Sequence, residues 1–289
     1  MGFTTIYSKR YHKSIALKGG VLNPTANKNY LQFMYERLIV MRKLLSDTGS
    51  IYLHCDWHRS HHLRILMDEV FGFDNFRNEI AWCYAVNKGK FINKYPPRHD
   101  TILFYAKTKN NLFNAEMIRM PPSKAALKRW GPSANYKGEV PFEKLTPGMK
   151  RVAGKGEKPY ILRGGIQVDW LIKFPGLNSG NSSENTGYPT QKPESLIEMF
   201  IKASSNPADI VFDCFMGSGT TQAAAMKLGR RFIGADINPD AVQTAAIRLV
   251  NTAKKELVKG EYPVPDNAGI IRIKITNILS ESLEIETGN

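Results

Sequence analysis

The sequence predicts an α/β protein built on a doubly wound, mostly parallel sheet. Short apolar strands alternate along the chain with amphipathic helices, as expected where crossover helices join parallel strands. The predicted strand Ser50–Cys55 is apolar almost throughout, which is typical of a strand buried on both faces. A glycine loop also joins a strand to a helix at 213–221, and the next strand ends in an acidic residue.

Hydrophobic periodicity predicts where the individual elements lie. Helices with one apolar face are predicted over 30–46, 60–71, 194–204 and 240–251. Strands are predicted over 50–55, 79–84, 101–106, 230–236 and 269–276, with a further strand that ends at Asp213. Residues 1–29 are basic and have no clear period, so we interpret them as a loop.

The glycine loop has the features of half of a nucleoside-cofactor site. Gly217 and Gly219 allow a ligand to approach the backbone, and Thr220 begins a helix whose first amides attract anions. Asp236 follows Gly217 by 19 residues, near the ~20-residue spacing from a glycine loop to a ribose-binding acid. An ordinary strand–turn–helix is the alternative, and the second acid at this spacing favours the cofactor site.

The pattern favours S-adenosylmethionine over a dinucleotide. Gln222 stands where the third glycine of a dinucleotide-binding loop would be. Only 53 residues follow Asp236, whereas a dinucleotide-binding domain continues with several more strands. A cofactor without phosphates fits better, with its amino-acid carboxylate near the loop and its ribose on Asp236.

Five segments, in this order, resemble the DNA amino-methyltransferases of the permuted β group. They are 49–56, 75–82, 99–107, 187–194 and 209–221 together with Asp236. The resemblance implies a Rossmann-like, S-adenosylmethionine-dependent methyltransferase that modifies the exocyclic amino group of a DNA base, with adenine preferred over cytosine. It implies direct transfer without a covalent enzyme intermediate, and a role in restriction-modification. Cys214 departs from the proline that is usual in the family.

The resemblance also implies a set of cofactor-binding residues. They are Thr190, Gln191, Lys192, Asp213, Phe215, Gly217, Ser218, Gly219, Thr220 and Asp236. Residues 190–192 precede a helix, and an ordinary helix N-terminus is the alternative for them. Asp213 either positions the loop through backbone amides or meets the cofactor ammonium group. Asp236 is expected to accept hydrogen bonds from both ribose hydroxyls.

The catalytic loop of this family is not recognisable in the sequence. That loop has Asp, Asn or Ser before Pro-Pro and an aromatic residue, and it holds the target amino group and stacks on the extruded base. The pairs Pro96-Pro97 and Pro121-Pro122 have neither neighbour, and the family order places the loop at or before Met1. We therefore expect the chain to lack its catalytic segment, as a truncated enzyme, a chain that starts at an internal Met, or a degenerate copy. The alternative function is a non-catalytic DNA- and cofactor-binding fragment or subunit.

Positive charge is concentrated in two regions. The net charge is +14, residues 88–163 hold 17 Lys/Arg against five Asp/Glu, and residues 1–29 hold five Lys/Arg and no acid. Such a field favours a polyanion, here double-stranded DNA, over a merely soluble basic surface. Four parts are predicted: a base-side half (1–107), a basic target-recognition insert (108–185), a cofactor-binding half (186–255) and a tail (256–289). Arg129, Trp130 and Arg151 are candidates for reading bases.

The remaining patterns restrict the chemistry and the compartment. The three cysteines show neither disulfide nor zinc spacing, which suits a reducing cytoplasm. No run approaches the ~18 apolar residues of a membrane span. The His/Cys/Asp-rich stretch 54–62 lacks a repeated ligand spacing, so no metal is expected. Trp82 and Tyr84 are either base-stacking residues or buried aromatics, and a homodimer or a complementing subunit is the expected assembly.

Overall fold

The computed structural model describes a large part of the chain. The described residues are 3–7, 24–56, 58–83, 93, 95, 98–125, 128, 139–145, 147, 150, 160–161, 166–171, 174, 184–188, 190–258, 272–276 and 282–286. The chain is divided into two compact units. The first comprises Met1–Phe113 with Asp169–Asn289, and the second comprises Asn114–Val168.

The described residues form strands and helices that alternate in most of the first unit. The strands are β1 (Phe3–Tyr7), β2 (Ser50–Cys55), β3 (Phe76–Cys83), β4 (His99–Ala106), β5 (Glu139–Val140), β6 (Tyr160–Ile161), β7 (Trp170–Leu171), β8 (Ile210–Asp213), β9 (Arg231–Gly234), β10 (Arg272–Thr276) and β11 (Ser282–Glu286). The helices are α1 (Pro24–Leu44), α2 (Ser60–Phe71), α3 (Glu194–Ser204), α4 (Thr220–Lys227) and α5 (Pro239–Val258).

A seven-stranded sheet in the order β7-β3-β4-β2-β1-β8-β9 organises the first unit. Strands β2, β1, β8 and β9 pair in parallel. Strand β4 is antiparallel to both of its neighbours, β2 and β3, and β7 is parallel to β3. The prediction of a doubly wound, mostly parallel α/β sheet is therefore confirmed.

Helices cover both faces of this sheet because the strand side chains alternate in direction. On β2, Ile51 and Leu53 lie in one core with apolar residues of α1 and α2. Tyr52 points into the opposite core, which contains apolar residues of α3 and α4. Two buried cores thus fix the sheet between two helical layers.

The centre of the sheet is a topological switch point between β8 and β1. From β8 the chain continues through α4 to β9, and from β1 it continues through α1 to β2 on the other side. Because α4 and α1 lie on opposite faces, the chain segments that leave the two strands diverge. Ligand crevices of open α/β sheets form at such points, beyond the carboxyl ends of the strands.

Two expectations about the first thirty residues are wrong. Phe3–Tyr7 is not loop but the strand β1, which pairs with both β2 and β8. Its threonines and isoleucine favour extended backbone, but partners far along the chain decide its place. Helix α1 begins at Pro24 rather than Tyr30, and a proline is well tolerated in the first turn of a helix.

Most other elements lie where periodicity predicts them. Helices α2 and α3 and strand β2 have the predicted bounds. Strand β3 begins at Phe76, and α5 extends to Val258. Strand β10 falls in the predicted 269–276 and forms an antiparallel hairpin with β11. Of the helices that the structure describes, none is both long and apolar enough to span a bilayer.

The second unit, Asn114–Val168, has little regular structure among its described residues. Strands β5 and β6 pair in antiparallel fashion, and Arg119 forms an isolated bridge with Ile166. The unit falls inside the predicted insert 108–185. The boundaries of the four predicted parts and the role of the insert stay predictions.

Helix α2 offers a matched test of the core. Leu63 is 0% exposed and Ile65 is 67% exposed on the same helix. Leu63→Ala is expected to lower the free energy of unfolding by ~2–5 kcal/mol, because it leaves a cavity in the core. Ile65→Ala is expected to change it by less than ~0.5 kcal/mol. Urea unfolding of both variants measures the difference, and equal effects would contradict this assignment of the core.

Candidate functional site

A cleft with an empty volume of about 580 Å³ opens at the switch point. The glycine loop between β8 and α4, the segment before α3, and the strands β2 and β4 all contribute to it. Eight of the ten predicted cofactor-binding residues line it: Thr190, Gln191, Lys192, Asp213, Phe215, Gly217, Ser218 and Thr220. Tyr188 and Thr221 line it as well, whereas Gly219 and Asp236 do not.

Asp213 is the buried acid at the base of the cleft. One carboxylate oxygen accepts a hydrogen bond from Phe215 N (3.0 Å), and the other accepts one from Thr221 Oγ1 (2.6 Å). These bonds hold the start of the loop against the first turn of α4. Burial raises the pKa of Asp213 to about 7, because its two hydrogen bonds offset only part of the cost of removing the charged carboxylate from water.

Asp236 supports the glycine loop from the end of β9. Its Oδ2 accepts a hydrogen bond from Gly217 N (3.0 Å) and its Oδ1 accepts one from Asn238 N (2.9 Å). It lies beside the cleft and is not among the lining residues. A carboxylate has about four acceptor sites, so two backbone bonds leave acceptor capacity for a ligand hydroxyl.

Gly217 and Gly219 are each required in the loop for a different structural reason. Gly217 has φ +51°, and a Cβ there would lie 3.2 Å from the ring of Tyr188. Gly219 has φ +73°, and a Cβ there would lie 2.8 Å from the Cβ of Ala245 on α5. Gly217 therefore keeps the cleft side of the loop open, whereas Gly219 allows the loop to pack closely against α5.

The segment before α3 forms the facing wall. The side chain of Gln191 accepts hydrogen bonds from Thr186 N (2.8 Å) and Thr186 Oγ1 (2.6 Å), and it donates one to Glu184 O (2.5 Å). The amide of Gln191 thus organises its own loop, although the residue lines the cleft. Lys192 Nζ lies 3.5 Å from Thr190 O and 5.5 Å from the centre of the Trp82 ring.

A buried polar pair lies at the far end of the cleft. His54 Nε2 lies 3.0 Å from Asp100 Oδ2, and the two side chains are 12% and 10% exposed. Burial lowers the pKa of His54, and the charge of Lys192 lowers it further. His54 and Tyr188 line the cleft, although the sequence analysis did not name either of them as a cofactor-binding residue. The stretch that contains His54 was considered as a metal site, and Tyr188 belongs to a segment for which only the family resemblance was noted.

Trp82 proves to be a buried aromatic rather than an open stacking surface. It is 4% exposed, and its indole Nε1 donates a hydrogen bond to Phe174 O (2.7 Å). Tyr84, Arg129, Trp130 and Arg151 lie outside the described residues. In the described part of the chain, no group of three or more His, Cys, Asp or Glu residues could hold a metal ion.

Comparisons with known proteins agree on one family. The sequence model of the DNA methylase family matches residues 18–247. The type II methyltransferase M.EcaI of Enterobacter cloacae is 30% identical over 260 residues, a match that covers 76% of this chain and 57% of that protein. The type II methyltransferase M1.MboII of Moraxella bovis is 31% identical over 236 residues, covering 76% of this chain and 79% of that protein.

A solved structure supports the fold. The PvuII DNA methyltransferase, described as cytosine-N4-specific, superposes with a TM-score of 0.58 and 16% sequence identity. The superposition covers 90% of this chain and 86% of that one. At this level of identity the likeness concerns the fold, and the predicted resemblance itself is confirmed by the family match.

Asp213 generates a prediction about pH. Its folded-state pKa of about 7 exceeds the ordinary 3.8, so the folded protein binds more protons than the unfolded chain between these values. Stability therefore falls as the pH rises from about 4 to 7, by up to ~4 kcal/mol, and levels off above that. Asp213→Asn can still accept a bond from Phe215 N and is expected to remove this pH dependence.

Urea unfolding of both proteins at several pH values between about 4 and 8 measures this difference. The free energy of unfolding of the Asp213→Asn variant, relative to that of the unmodified protein, should increase as the pH rises. Parallel stability curves would contradict the raised pKa of Asp213.

Proposed function

The chain belongs to the DNA methylase family, and on this premise we propose that it transfers a methyl group from S-adenosylmethionine to an exocyclic amino group in double-stranded DNA. We propose adenine as the target in preference to cytosine, because the motifs as a whole resemble adenine methylases more closely. The observation that carries the proposal is the cleft at the switch point, with the glycine loop held between Asp213 and Asp236.

The residues of the cleft fit this cofactor. Gly217 has no side chain to fill the space under Tyr188, and the walls of the cleft carry an acid, Asp213, and a cation, Lys192. Asp213 would face the cofactor ammonium group. Lys192 and the first amides of α4 would hold its carboxylate, and Asp236 would hold the ribose. When bound, S-adenosylmethionine supplies a methyl group on a positively charged sulfur, which can leave as a neutral thioether when an amino nitrogen attacks the methyl carbon.

The charge of the protein supports a DNA substrate. The net charge is +14, and lysines such as Lys124, Lys128 and Lys144 belong to the second unit. Cations of this kind neutralise backbone phosphates and position a protein on the duplex without reading sequence. We propose that this unit contacts DNA and that the protein acts in the cytoplasm as the modification enzyme of a restriction-modification system. The homodimer or complementing subunit stays a prediction.

A methyl-incorporation assay on unmethylated duplex DNA tests the proposal. The full chain is incubated with S-adenosylmethionine labelled in its methyl group, and the DNA is then digested to nucleosides. Label in N6-methyladenine is the expected result, and it would also overturn the expectation that the chain lacks its catalytic segment. Label in N4-methylcytosine would overturn the choice of adenine, and label in 5-methylcytosine would overturn the amino group as the target.

A further outcome distinguishes the rival function. Unlabelled DNA, together with retained binding of DNA and S-adenosylmethionine, would favour a non-catalytic fragment or subunit. Calorimetry against a nicotinamide dinucleotide is the control for the cofactor, and preferential binding of the dinucleotide would end the proposal.

Asp236 gives a prediction for cofactor binding. Asp236→Ala is expected to weaken the binding of S-adenosylmethionine by ~1–3 kcal/mol, because a charged acceptor beside Gly217 is lost. Asp240→Ala is the matched control, because Asp240 is an exposed acid in the first turn of α5. This variant should bind the cofactor as tightly as the unmodified protein does. Calorimetry measures both, and an unchanged affinity of the Asp236 variant would refute the ribose assignment.

A further inference from the structure

Arg248 lies beneath the glycine loop and touches both walls of the cleft. It belongs to α5, and its side chain is 6% exposed. Nη1 donates hydrogen bonds to Thr220 Oγ1 (2.9 Å) and Ser218 Oγ (3.3 Å) on the loop. Nη2 donates a hydrogen bond to Glu194 Oε1 (2.7 Å) at the start of α3. One buried guanidinium thus joins two segments that are distant in the sequence.

The acids on the α3 side extend this connection into the facing wall. Glu194 N donates a hydrogen bond to Glu184 Oε2 (3.0 Å), and the same Oε2 lies 4.0 Å from Arg248 Nη2. The second oxygen of Glu194 accepts a hydrogen bond from Lys227 on α4. Gln191 holds the chain at Glu184 through its side-chain amide. Glu184 and Glu194 therefore both lie at the guanidinium group of Arg248.

This arrangement depends on the shape of the guanidinium group. Arginine presents five donors in a planar fork, so it can bond two hydroxyls on one side and a carboxylate on the other. A lysine ammonium is a compact point charge on a flexible stem and cannot reproduce this geometry. Because the site is buried, loss of the cation leaves Glu194 with less compensation and the two loop hydroxyls without their donor.

We propose that Arg248 is a positioning residue for cofactor binding, which sets the spacing between the glycine loop and the segment at 190–192. The inference rests on the proposed function, because it concerns the same cleft. Arg248 does not line the cleft. It acts through Ser218 and Thr220, which do, and through Glu194, which begins α3 two residues after Lys192.

The experiment compares two buried arginines in the full-length chain. Arg248 and Arg230 are each 7% exposed, and each donates three side-chain hydrogen bonds. Arg230 bonds to Ser205 and Leu228, away from the glycine loop. Arg248→Gln is expected to raise the dissociation constant and the KM for S-adenosylmethionine about tenfold to hundredfold. The kcat at saturating cofactor should stay within about twofold.

Arg230→Gln is expected to lower the melting temperature to a similar extent and to leave the dissociation constant for S-adenosylmethionine unchanged. Arg248→Lys should give an intermediate affinity, because the charge beside Glu194 is kept while the fork is lost. Affinity of Arg248→Gln equal to that of the unmodified protein would overturn the inference and leave the proposed function intact. Failure of the unmodified protein to bind S-adenosylmethionine would overturn both.

A second variant keeps the test decisive if Arg248→Gln does not fold. Glu194→Gln preserves the size of the side chain and removes only the charge that pairs with Arg248 and Lys227. It is expected to weaken cofactor binding severalfold. Normal affinity in a folded Glu194→Gln protein would overturn the proposed coupling between the two walls.

Discussion

The parallel pairing of β1 with β8 is the constraint on which the site depends. Both strands end at the same edge of the sheet, and the helices that follow them lie on opposite faces. The backbone must therefore separate at this edge, and the glycine loop occupies one side of the opening. The cleft is a consequence of the connectivity, and the side chains determine which ligand it accepts.

The site concentrates acidic side chains that are buried or partly buried, and each of them accepts at least two hydrogen bonds. Asp213 has two donors from the loop, Asp236 has two backbone amides, and Glu194 lies between Lys227 and Arg248. These hydrogen bonds satisfy the carboxylate oxygens and also fix the backbone around the cleft. The same interactions that satisfy these charges thus give the loop its shape before any ligand binds.

The fold class and much of the site could be predicted because their signals are local. The helix 194–204 and the glycine loop follow from residues within one short window, as do the alternating faces of β2. The strand β1 could not be predicted, because its five residues acquire their role only from pairing with β2 and β8. Arg248 was missed for a related reason. A single arginine in an amphipathic helix gives no sign that Ser218, Thr220 and Glu194 converge on it.

The pairing of Phe3 with Val211 has a consequence for synthesis of the chain. While the protein emerges from the ribosome, β1 can meet β2 early, but its other neighbour is made only after most of the chain has been translated. Until then one side of a central strand has unpaired amides and carbonyls, which can associate with other chains. Completion of the sheet requires closure of a very long loop, so the last pairing of the central strands is expected to form late in folding.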